Sequence, residues 1–522
     1  MHIPIEQKTA DSVINLCLDT LAKKKQALVF VNTKRGAEKQ AEDLSKKTKL
    51  RSIVLDKLSD DILNVLSKPT KQCERLAECV KHGAAFHHAG LHGRQKELIE
   101  EHFRKGALSF ICCTPTLAMG VDLPAYRAVI RDLKRYSQRG MGFIPVLEYL
   151  QMAGRAGRPK FDTVGEAICV ADNRMQADEI VERYIHGQPE EIYSKLAVEP
   201  VLRTYVLSLI ASGFVRTRKE LMDFFSRTFW AHQFEDIEKL EAIIDRMLDL
   251  LLDWEFILPS AKKDDFVSAD ELAKDVGYRA TFLGKRVAEL YLDPLTAHGF
   301  IVALNKSMAT KTRNSVSFLH TICHTLEMRP LLRVGVKEFD KVQAKLAEWD
   351  QWLLVNEPSA YDPDYDDYLA SVKTAMMLND WMDEKDDEWL MEQYNVRPGE
   401  TRTKLELAEW LLYSMIELSN ILNHNELIKD INKVRFRLRY GVREELLTLL
   451  KLEGIGRVRA RKLYNNGVKD LGDVRKIQLQ KLIDILGKQV AISVKKQVGE
   501  DVPEPIPEAK RKGQLEMSKY DA

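Results

Sequence analysis

Two arginines set among small residues are the first feature of this sequence that could do chemistry. The stretch QMAGRAGR at residues 151–158 holds Arg155 and Arg158 three positions apart. In a helical turn they would share one face, with little side-chain bulk between them. Paired guanidinium groups suit a bidentate grip on a phosphate or a carboxylate. We therefore expect another part of the protein to complete an anion site.

Polar side chains also follow the predicted strands. TPTLAMGVDLP (114–124) ends one strand with Thr114, Gly120 and Asp122, and VFVNTKRGAE (29–38) ends another with Thr33 and Arg35. The carboxyl ends of parallel strands converge on one crevice, and helix N-termini there bind phosphate oxygens. Ordinary helix caps explain the same residues equally well. The adjacent histidines of FHHAGL (86–91) lack nearby Cys or acidic partners in the sequence, so we predict packing or hydrogen-bonding residues rather than metal ligands.

Composition sets the class of the protein. Its 522 residues are too many for one core, and we expect three to five domains. A net charge of +1, from 79 basic and 78 acidic residues, favours no particular partner. There is no signal-peptide pattern, and no apolar run approaches the roughly 18 residues of a membrane span. With no CxxC pair among its seven cysteines, the sequence predicts a cytoplasmic protein without a membrane partner.

Short apolar runs alternate with amphipathic helices up to about residue 190, which predicts a parallel, doubly wound α/β domain. The expected strands are 26–33, 83–90, 108–115, 128–133 and 165–171. Beyond residue 198 the pattern is helical, and three helices followed by a β-rich end predict a winged helix, although a plain helical linker domain fits nearly as well. An acidic, aromatic helical block and a basic helical end follow, before a Pro-rich charged tail that should be disordered. The predicted domains are 1–198, 199–260, 261–430, 431–502 and the tail 503–522.

Three motifs in order resemble those of the second RecA-like domain of superfamily 2 helicases, in their Ski2-like form: FHHAGL, TPTLAMGVDLPA and QMAGRAGRP. Three later segments resemble the helical domain of archaeal Ski2-like DNA helicases of the Hjm type: RATFLGKRVAELYLDPLTA, FLHTICHTLEM and LAEWLLYSM. The resemblance covers about residues 1–500. It implies a RecA-like parallel-sheet domain followed by mainly α domains, namely a winged helix, a helical ratchet domain and a helix-hairpin-helix.

The resemblance also implies roles for the strand-end residues. Arg155 and Arg158 match arginine fingers that reach the phosphates of ATP, and Gln151 matches a nucleotide sensor. The positions that couple nucleotide to nucleic acid are Gly120, Asp122 and Gly154. The positions that touch the DNA backbone are Thr33, Arg35 and Thr114.

Two further DNA elements are implied by the family. Residues 134–146, KRYSQRGMGFIPV, contain Tyr136 and two turn-forming glycines, and in similar helicases a β-hairpin there splits the duplex. An ordinary surface loop is the alternative. Trp410 lies in the expected ratchet helix, where an aromatic and a basic side chain stack on the tracking strand. The family's basic residue lies two turns before the tryptophan, where this chain has Thr403. The neighbouring Arg402 is therefore the candidate, with an uncertainty of one residue. A role for Trp410 in the core is the alternative.

LLKLEGIGRVRARKLYNNG (449–467) predicts a helix-hairpin-helix whose turn presents backbone N–H groups to a phosphate. Its glycines and basic residues are the candidate DNA contacts, favoured here over plain surface charge: Gly454, Gly456, Arg457, Arg459, Arg461 and Lys462. The tail segment QLEMSKYD is a poor match to a sliding-clamp peptide. Replication proteins are one class of candidate partner.

The sequence contains neither a G-x-x-x-x-G-K-[ST] loop nor a strand-end acidic box, which helicases use to hold ATP and Mg²⁺. The resemblance therefore implies the C-terminal part of a helicase, as a split-gene subunit, a truncated frame or an expressed fragment. A partner chain would hold ATP and Mg²⁺. The implied activity is ATP-dependent 3′-to-5′ unwinding of forked or branched DNA, with its single-stranded arms, in replication-linked repair. A catalytically silent DNA-binding module is the main alternative, and an RNA helicase is disfavoured by the helix-hairpin-helix.

Overall fold

The computed structural model describes residues 4–66, 68–119, 121–137, 140–157, 162–196, 198–234, 237–260 and 277–499. Two predicted site residues, Gly120 and Arg158, lie outside the described residues, as does the predicted tail. The chain divides into two compact units. The first is made of residues 1–381 and 385–435, and the second of residues 382–384 and 436–522.

A five-stranded parallel sheet forms the α/β part of the first unit, as the sequence predicts. Its strands are β1 (Ala27–Phe30), β2 (Ala84–His87), β3 (Phe110–Cys113), β4 (Arg127–Ile130) and β7 (Glu166–Cys169). They lie in the order β2-β3-β1-β4-β7, and every neighbouring pair is parallel. All residues of β1 to β4 are buried, which is typical of a parallel sheet covered on both faces.

Helices precede, separate and follow these strands, and most of them begin at a polar side-chain cap. They are α1 (Ser12–Ala22), α2 (Lys34–Thr48), α3 (Ile53–Leu63), α4 (Lys71–Lys81), α5 (Gly93–Arg104), α6 (Val146–Ala153) and α7 (Arg174–Ile180). Asp11, Thr33, Ser52 and Thr70 each accept a hydrogen bond from a first-turn N–H, which satisfies a donor that the helix itself leaves open. The loops between β-strand ends and these caps carry the candidate site.

A helical segment with a terminal hairpin follows, in the winged-helix order that the sequence predicts. Its elements are α8 (Glu199–Ala211), α9 (Arg218–Ser226), α10 (Phe229–Phe234), α11 (Ile237–Asp253), β8 (Ile257–Ser260) and β9 (Gly277–Ala280). β8 and β9 pair antiparallel, from Ile257 opposite Ala280 to Ser260 opposite Gly277. The strand that completes the hairpin therefore lies beyond residue 260, where the predicted boundary stood.

The remaining helices up to residue 440 lie mostly in the first unit, and the boundary at residue 435 falls within the last of them. They are α12 (Phe282–Glu289), α13 (Pro294–Thr310), α14 (Ser315–Cys323), α15 (Phe339–Trp349), α16 (Tyr365–Met382), α17 (Asp387–Tyr394), α18 (Pro398–Ile421) and α19 (Asn425–Tyr440). In the part of the chain that the structure describes, no single helix is long and apolar enough to cross a membrane. Only α12 and α13 together, bent by 119°, pass a test of length and composition.

The second unit is a small helical domain with its own core. It contains α20 (Arg457–Asn465), α21 (Leu471–Lys476), α22 (Leu479–Leu486) and α23 (Lys488–Gln497), preceded by two short 3₁₀ turns at 444–446 and 449–451. Ile455 and Leu463 are both buried in this core, as the helix-hairpin-helix pattern predicts. The first element of the hairpin is a 3₁₀ turn rather than a full helix.

Candidate functional site

The loop after β1 is tied to the loop after β4. The Asn32 side chain donates from Nδ2 to the Lys134 carbonyl (2.7 Å), and its backbone N–H donates to Asp132 Oδ2 (3.1 Å). Thr33 is the N-cap of α2, with Oγ1 accepting the Gly36 N–H at 3.0 Å. Thr33 and Arg35 are exposed. The cap interpretation of Thr33 is thus confirmed, and both side chains also stand at a surface that a phosphate backbone can reach.

The loop after β3 presents its polar groups differently. Thr114 is buried, and its hydroxyl lies 2.9 Å from that of Thr116. Asp122 is exposed in an extended segment that leads to β4 rather than into a helix, so it caps no helix. Its backbone carbonyl accepts a bond from Arg104 Nε at 3.4 Å. Of these two predicted residues, only Asp122 is open to solvent.

Arg155 joins the two motif segments. It follows α6 and donates from Nε (3.2 Å) and from Nη2 to the carbonyl of Ala118, in the loop after β3. The backbone closes the same junction, because the Ala125 N–H donates to the Arg155 carbonyl at 3.0 Å and the Gly157 N–H donates to the Ala125 carbonyl at 2.6 Å. The structure therefore brings residues 114–125 and 151–157 together at one edge of the sheet.

Gln151 lies on the last turn of α6 with unused hydrogen-bonding capacity. Its Oε1 is buried and has no hydrogen-bond partner among the described residues. Gly154 is the C-cap of that helix, and a Cβ there would stand 3.1 Å from the Leu150 carbonyl oxygen. Buried polar atoms are rarely left unpaired, and those that are need an explanation such as a ligand. Arg155 lies four residues later and is half-buried, and a guanidinium is a group that can bind a phosphorylated ligand.

The predicted β-hairpin is present between the two motif segments. β5 (Lys134–Ser137) pairs antiparallel with β6 (Gly140–Phe143), and Tyr136 faces Met141 across the ladder. Tyr136 is 81% exposed and Met141 67% exposed. The base is fixed, because Arg135 pairs with Glu148 of α6 at 2.8 Å. The hairpin thus exposes two large side chains to solvent, and the ion pair between Arg135 and Glu148 holds its base against α6.

The α18 helix holds the predicted ratchet residues in unequal positions. Trp410 is half-buried, and its Nε1 donates to the Leu290 carbonyl at 3.2 Å. Arg402 lies eight residues earlier, about 80° away around the helix. Its guanidinium carbon stands 4.6 Å from the centroid of the Trp381 ring, with Nη2 3.4 Å from Asp387. Thr403, seven residues before Trp410, is exposed on the Trp410 face, so Arg402 is not aligned with Trp410.

The basic helix of the second unit divides into exposed and engaged residues. Gly454 has a positive φ of 80° and Gly456 is the N-cap of α20, with no atom within 4 Å of a Cβ at either position. Arg459 Nη1 donates to the Gly454 carbonyl at 2.8 Å. Arg461 instead pairs with Glu384 and with Glu445, the latter at 2.9 Å. Arg461 is therefore engaged within its own unit, whereas the turn remains open for a phosphate.

The sequence predicts packing or hydrogen-bonding histidines in FHHAGL but does not identify their partners. The histidines of FHHAGL do have acidic partners: His87 Nε2 lies 3.0 Å from Glu100, and His88 Nε2 lies 3.1 Å from Glu38. Glu38 is also contacted by Arg397, 359 positions away in the chain. No local pattern predicts a contact between residues so far apart in sequence. The one sign of it in the sequence is Glu38 itself, an acidic residue at a position on the buried face of α2.

Comparisons with known proteins match the parts of this fold in order. The family described as Helicase conserved C-terminal domain matches residues 45–160, and a Helix-turn-helix domain family matches residues 165–258. The family described as Archaeal helicase, domain 4 matches residues 316–441.

Relatives extend the match to nearly the whole chain. The ATP-dependent DNA helicase Hel308 of Methanocella arvoryzae is 38% identical over 516 residues, which is 97% of this chain and 67% of the relative. The Hel308 proteins of Pyrococcus horikoshii and Pyrococcus abyssi are each 38% identical over 509 residues, with 67% of each covered. The chain belongs to the Hel308 family of DNA helicases. The Hel308 relationship agrees with the fold order seen here, a parallel-sheet α/β domain followed by mostly helical domains.

Proposed function

We propose that this chain supplies the arginine-bearing half of the ATP site and the DNA-tracking elements of a 3′-to-5′ DNA helicase. The observation that carries the proposal is the junction at the sheet edge, where Arg155 holds the loop after β3 and has no carboxylate partner among the described residues. An arginine that contacts both the nucleotide and the motif loop can link hydrolysis to movement. In this proposal Arg155 and Arg158 neutralise charge as the γ-phosphoryl group leaves.

The side chains present fit ATP but not the magnesium ion. Among the described residues Arg155 has no carboxylate partner, so its charge is available to a phosphate. Within the same described ranges no three His, Cys, Asp or Glu side chains group to hold a metal. ATP supplies the γ-phosphoryl group when bound, while this chain orients and neutralises it. We propose that Mg²⁺ and most of the nucleotide are held by a first RecA-like domain, on a partner chain that carries the P-loop.

The nucleic-acid path follows from the exposed groups. Thr33 and Arg35 at the start of α2 contact the backbone of the tracking strand, and Thr114 after β3 is a third proposed contact. Nucleotide binding is coupled to those contacts through the residues near position 120, Asp122 and Gly154. Tyr136 on the hairpin meets the duplex at the fork, and Trp410 on α18 stacks on a base. Arg402 is a weaker candidate than the family pattern implies, because it is turned toward Trp381 and Asp387.

The domain assignment follows the same order. We propose a second RecA-like domain over 1–198, a winged helix that begins at 199 and extends to residue 280 to include β9, and a ratchet domain up to about 430. The helix-hairpin-helix occupies the second unit, where the open turn at Gly454 and Gly456 and the cations of Arg457, Arg459 and Lys462 contact phosphates. Forked and branched DNA in replication-linked repair is the proposed substrate, and replication proteins are the proposed further partners.

The test is DNA-stimulated ATP hydrolysis by this chain alone and mixed with the native P-loop-bearing chain. The proposal predicts hydrolysis only in the mixture, and strand separation of a forked duplex with a 3′ single-stranded arm. Absence of hydrolysis in both samples, with fork binding intact, would support a catalytically silent DNA-binding module instead. That second candidate is favoured by the open turn of the helix-hairpin-helix, which requires no nucleotide. Tighter binding to matched RNA than to DNA at fixed salt would contradict both.

A further inference from the structure

A buried polar cluster fixes the first turn of α18 to α2 and to the loop after β2. We call it the α2–α18 joint. All its members lie within the first compact unit. They are Lys34, Glu38, Gln72, Arg75, His88, Gly90, Arg397, Gly399 and Glu400.

Glu38 is the centre of the α2–α18 joint. It is 3% exposed, and its Oε1 accepts from Gln72 Nε2 at 2.8 Å, His88 Nε2 at 3.1 Å and Arg397 Nε at 3.3 Å. Its Oε2 accepts from Arg75 Nη1 at 2.9 Å. Burial alone would raise the pKa of Glu38, but the bonds from His88 and Gln72 and the charge of Arg397 lower that pKa to about 2. The carboxylate is therefore ionised and held by four donors from three other elements.

His88 links Glu38 to the loop after β2. Its Nδ1 accepts the Gly90 N–H at 3.1 Å, so its Nε2–H is the donor to Glu38. Burial lowers the pKa of His88, consistent with this neutral form. The Gly90 carbonyl then accepts the Gly399 N–H of α18 at 3.1 Å. A Cβ at Gly399 would lie 2.2 Å from the Leu91 carbonyl oxygen, so helix and loop are in direct contact.

A second link runs from α2 to the same turn of α18. Glu400 Oε2 accepts the Arg397 N–H at 3.0 Å and so caps α18, while Glu400 Oε1 pairs with Lys34. Lys34 lies between Thr33 and Arg35, the proposed backbone contacts at the start of α2. Trp410 lies twelve residues beyond Pro398, about 18 Å along α18. The joint thus connects the proposed backbone contacts to the proposed stacking residue.

We propose that Glu38 is a positioning residue that makes α2 and α18 one rigid body, so that Thr33, Arg35 and Trp410 advance together along the tracking strand. The inference rests on the proposed helicase function. Opening the α2–α18 joint would leave the Glu38 carboxylate buried without its donors, which is strongly unfavourable. The movement that accompanies ATP turnover is therefore assigned to other boundaries of this chain, and not to a change in the angle between α2 and α18.

A cross-link tests rigidity during turnover. Lys34→Cys with Glu400→Cys spans the joint when a short bifunctional reagent joins the two thiols through disulfide bonds that reduction cleaves. The native cysteines among the described residues are buried except for half-buried Cys169. In the mixture with the P-loop-bearing chain, the cross-linked protein should unwind a fork within about twofold of the reduced protein. The control is Lys345→Cys with Glu348→Cys, a pair within the single helix α15. Loss of unwinding of tenfold or more that reduction restores, absent in the control, would overturn the proposal.

Breaking the joint tests its role in positioning. Glu38→Ala should reduce unwinding at least about tenfold while DNA-stimulated ATP hydrolysis changes less than about twofold. Arg397→Ala should give a similar loss, and the two changes together should be less than additive. Glu38→Gln, which retains an acceptor, should recover part of the unwinding. A parallel fall in hydrolysis and unwinding in all of these variants would overturn the positioning role, because it would indicate general loss of the fold.

Lys34→Ala provides a second variant if Glu38→Ala does not fold. The Lys34–Glu400 pair is about one-third exposed and the Glu400 cap on α18 is retained, so this change should lower unwinding with little change in melting temperature. A third readout needs no catalysis: the distance between spin labels on α2 and on α18 should be unchanged when forked DNA binds. If the mixture shows no hydrolysis at all, the proposed function fails, and this distance still decides whether the joint is rigid.

Discussion

At the scale of single residues, the environment decides which charged side chains remain available for ligands. Arg155 and Arg461 are both arginines in basic motifs, and sequence alone ranks them equally. Arg155 contacts only a carbonyl among the described residues, whereas Arg461 pairs with two carboxylates. Arg155 has no carboxylate partner among the described residues, and we propose that its charge meets a phosphate, whereas Arg461 stabilises its own unit.

The buried carboxylate of Glu38 makes stability depend on pH. The folded pKa of about 2 lies below the ordinary 4.5, so the unfolded chain binds more protons between these values and stability rises with pH there. The contribution is present above pH 4.5 and is lost as the pH falls through 2. A shift of that size corresponds to about 3 kcal/mol. Urea unfolding of wild type and Glu38→Gln should show a stability difference at pH 6 that shrinks toward pH 2.5. An unchanged difference across that range would contradict the assignment.

The basic helix of the second unit offers a matched pair of substitutions. Lys462→Ala should leave the melting temperature unchanged and reduce the salt slope of DNA affinity by about one. Arg461→Ala should lower the melting temperature, because it removes the pairs with Glu384 and Glu445. Fluorescence anisotropy at several salt concentrations and thermal melting provide the two readouts. Equal effects of both substitutions on the salt slope would contradict the assignment of Lys462 to phosphate contact and of Arg461 to ion pairs within its own unit.

At the scale of elements, local patterns predicted most of what is observed. The five strands, the hairpin after β4 and the three-helix-plus-hairpin order all depend on residues close in sequence. The α2–α18 joint depends on Glu38 and Arg397, which are 359 positions apart, and no periodicity reports such a contact. Arg402 was likewise expected beside Trp410. It lies about 80° away around the helix, where Trp381 and Asp387 engage it.

The hairpin makes a prediction at this scale. Tyr136→Ala should slow separation of a forked duplex by about tenfold, because base stacking by an aromatic side chain contributes roughly 1–3 kcal/mol. Hydrolysis stimulated by single-stranded DNA should stay within about twofold, since the tether at Arg135 and Glu148 is kept. Tyr361→Ala removes another exposed tyrosine, remote in sequence, and serves as control. Equal loss of both activities in Tyr136→Ala would show that the hairpin does not act at the fork.

At the scale of the whole molecule, we propose that the chain combines half of a nucleotide site with several surfaces that bind nucleic acid. Its Hel308 relatives are half as long again, since the match covers 97% of this chain but 67% of theirs. The family was evident from sequence because three motifs recur in order and spacing. The sequence did not show which motif residues remain available to bind a ligand, because burial and ion pairing arise only when distant segments pack together.

The central claim is that Arg155 completes an ATP site held mainly by another domain. The most direct measurement is steady-state hydrolysis by the mixture of this chain and the P-loop-bearing chain, with saturating forked DNA. Arg155→Ala should lower kcat at least about 100-fold with fork affinity unchanged, as expected for a group that neutralises transition-state charge. Arg94→Ala, which removes an exposed arginine paired with Glu97, should have no such effect. Hydrolysis by Arg155→Ala at the wild-type rate would contradict the account.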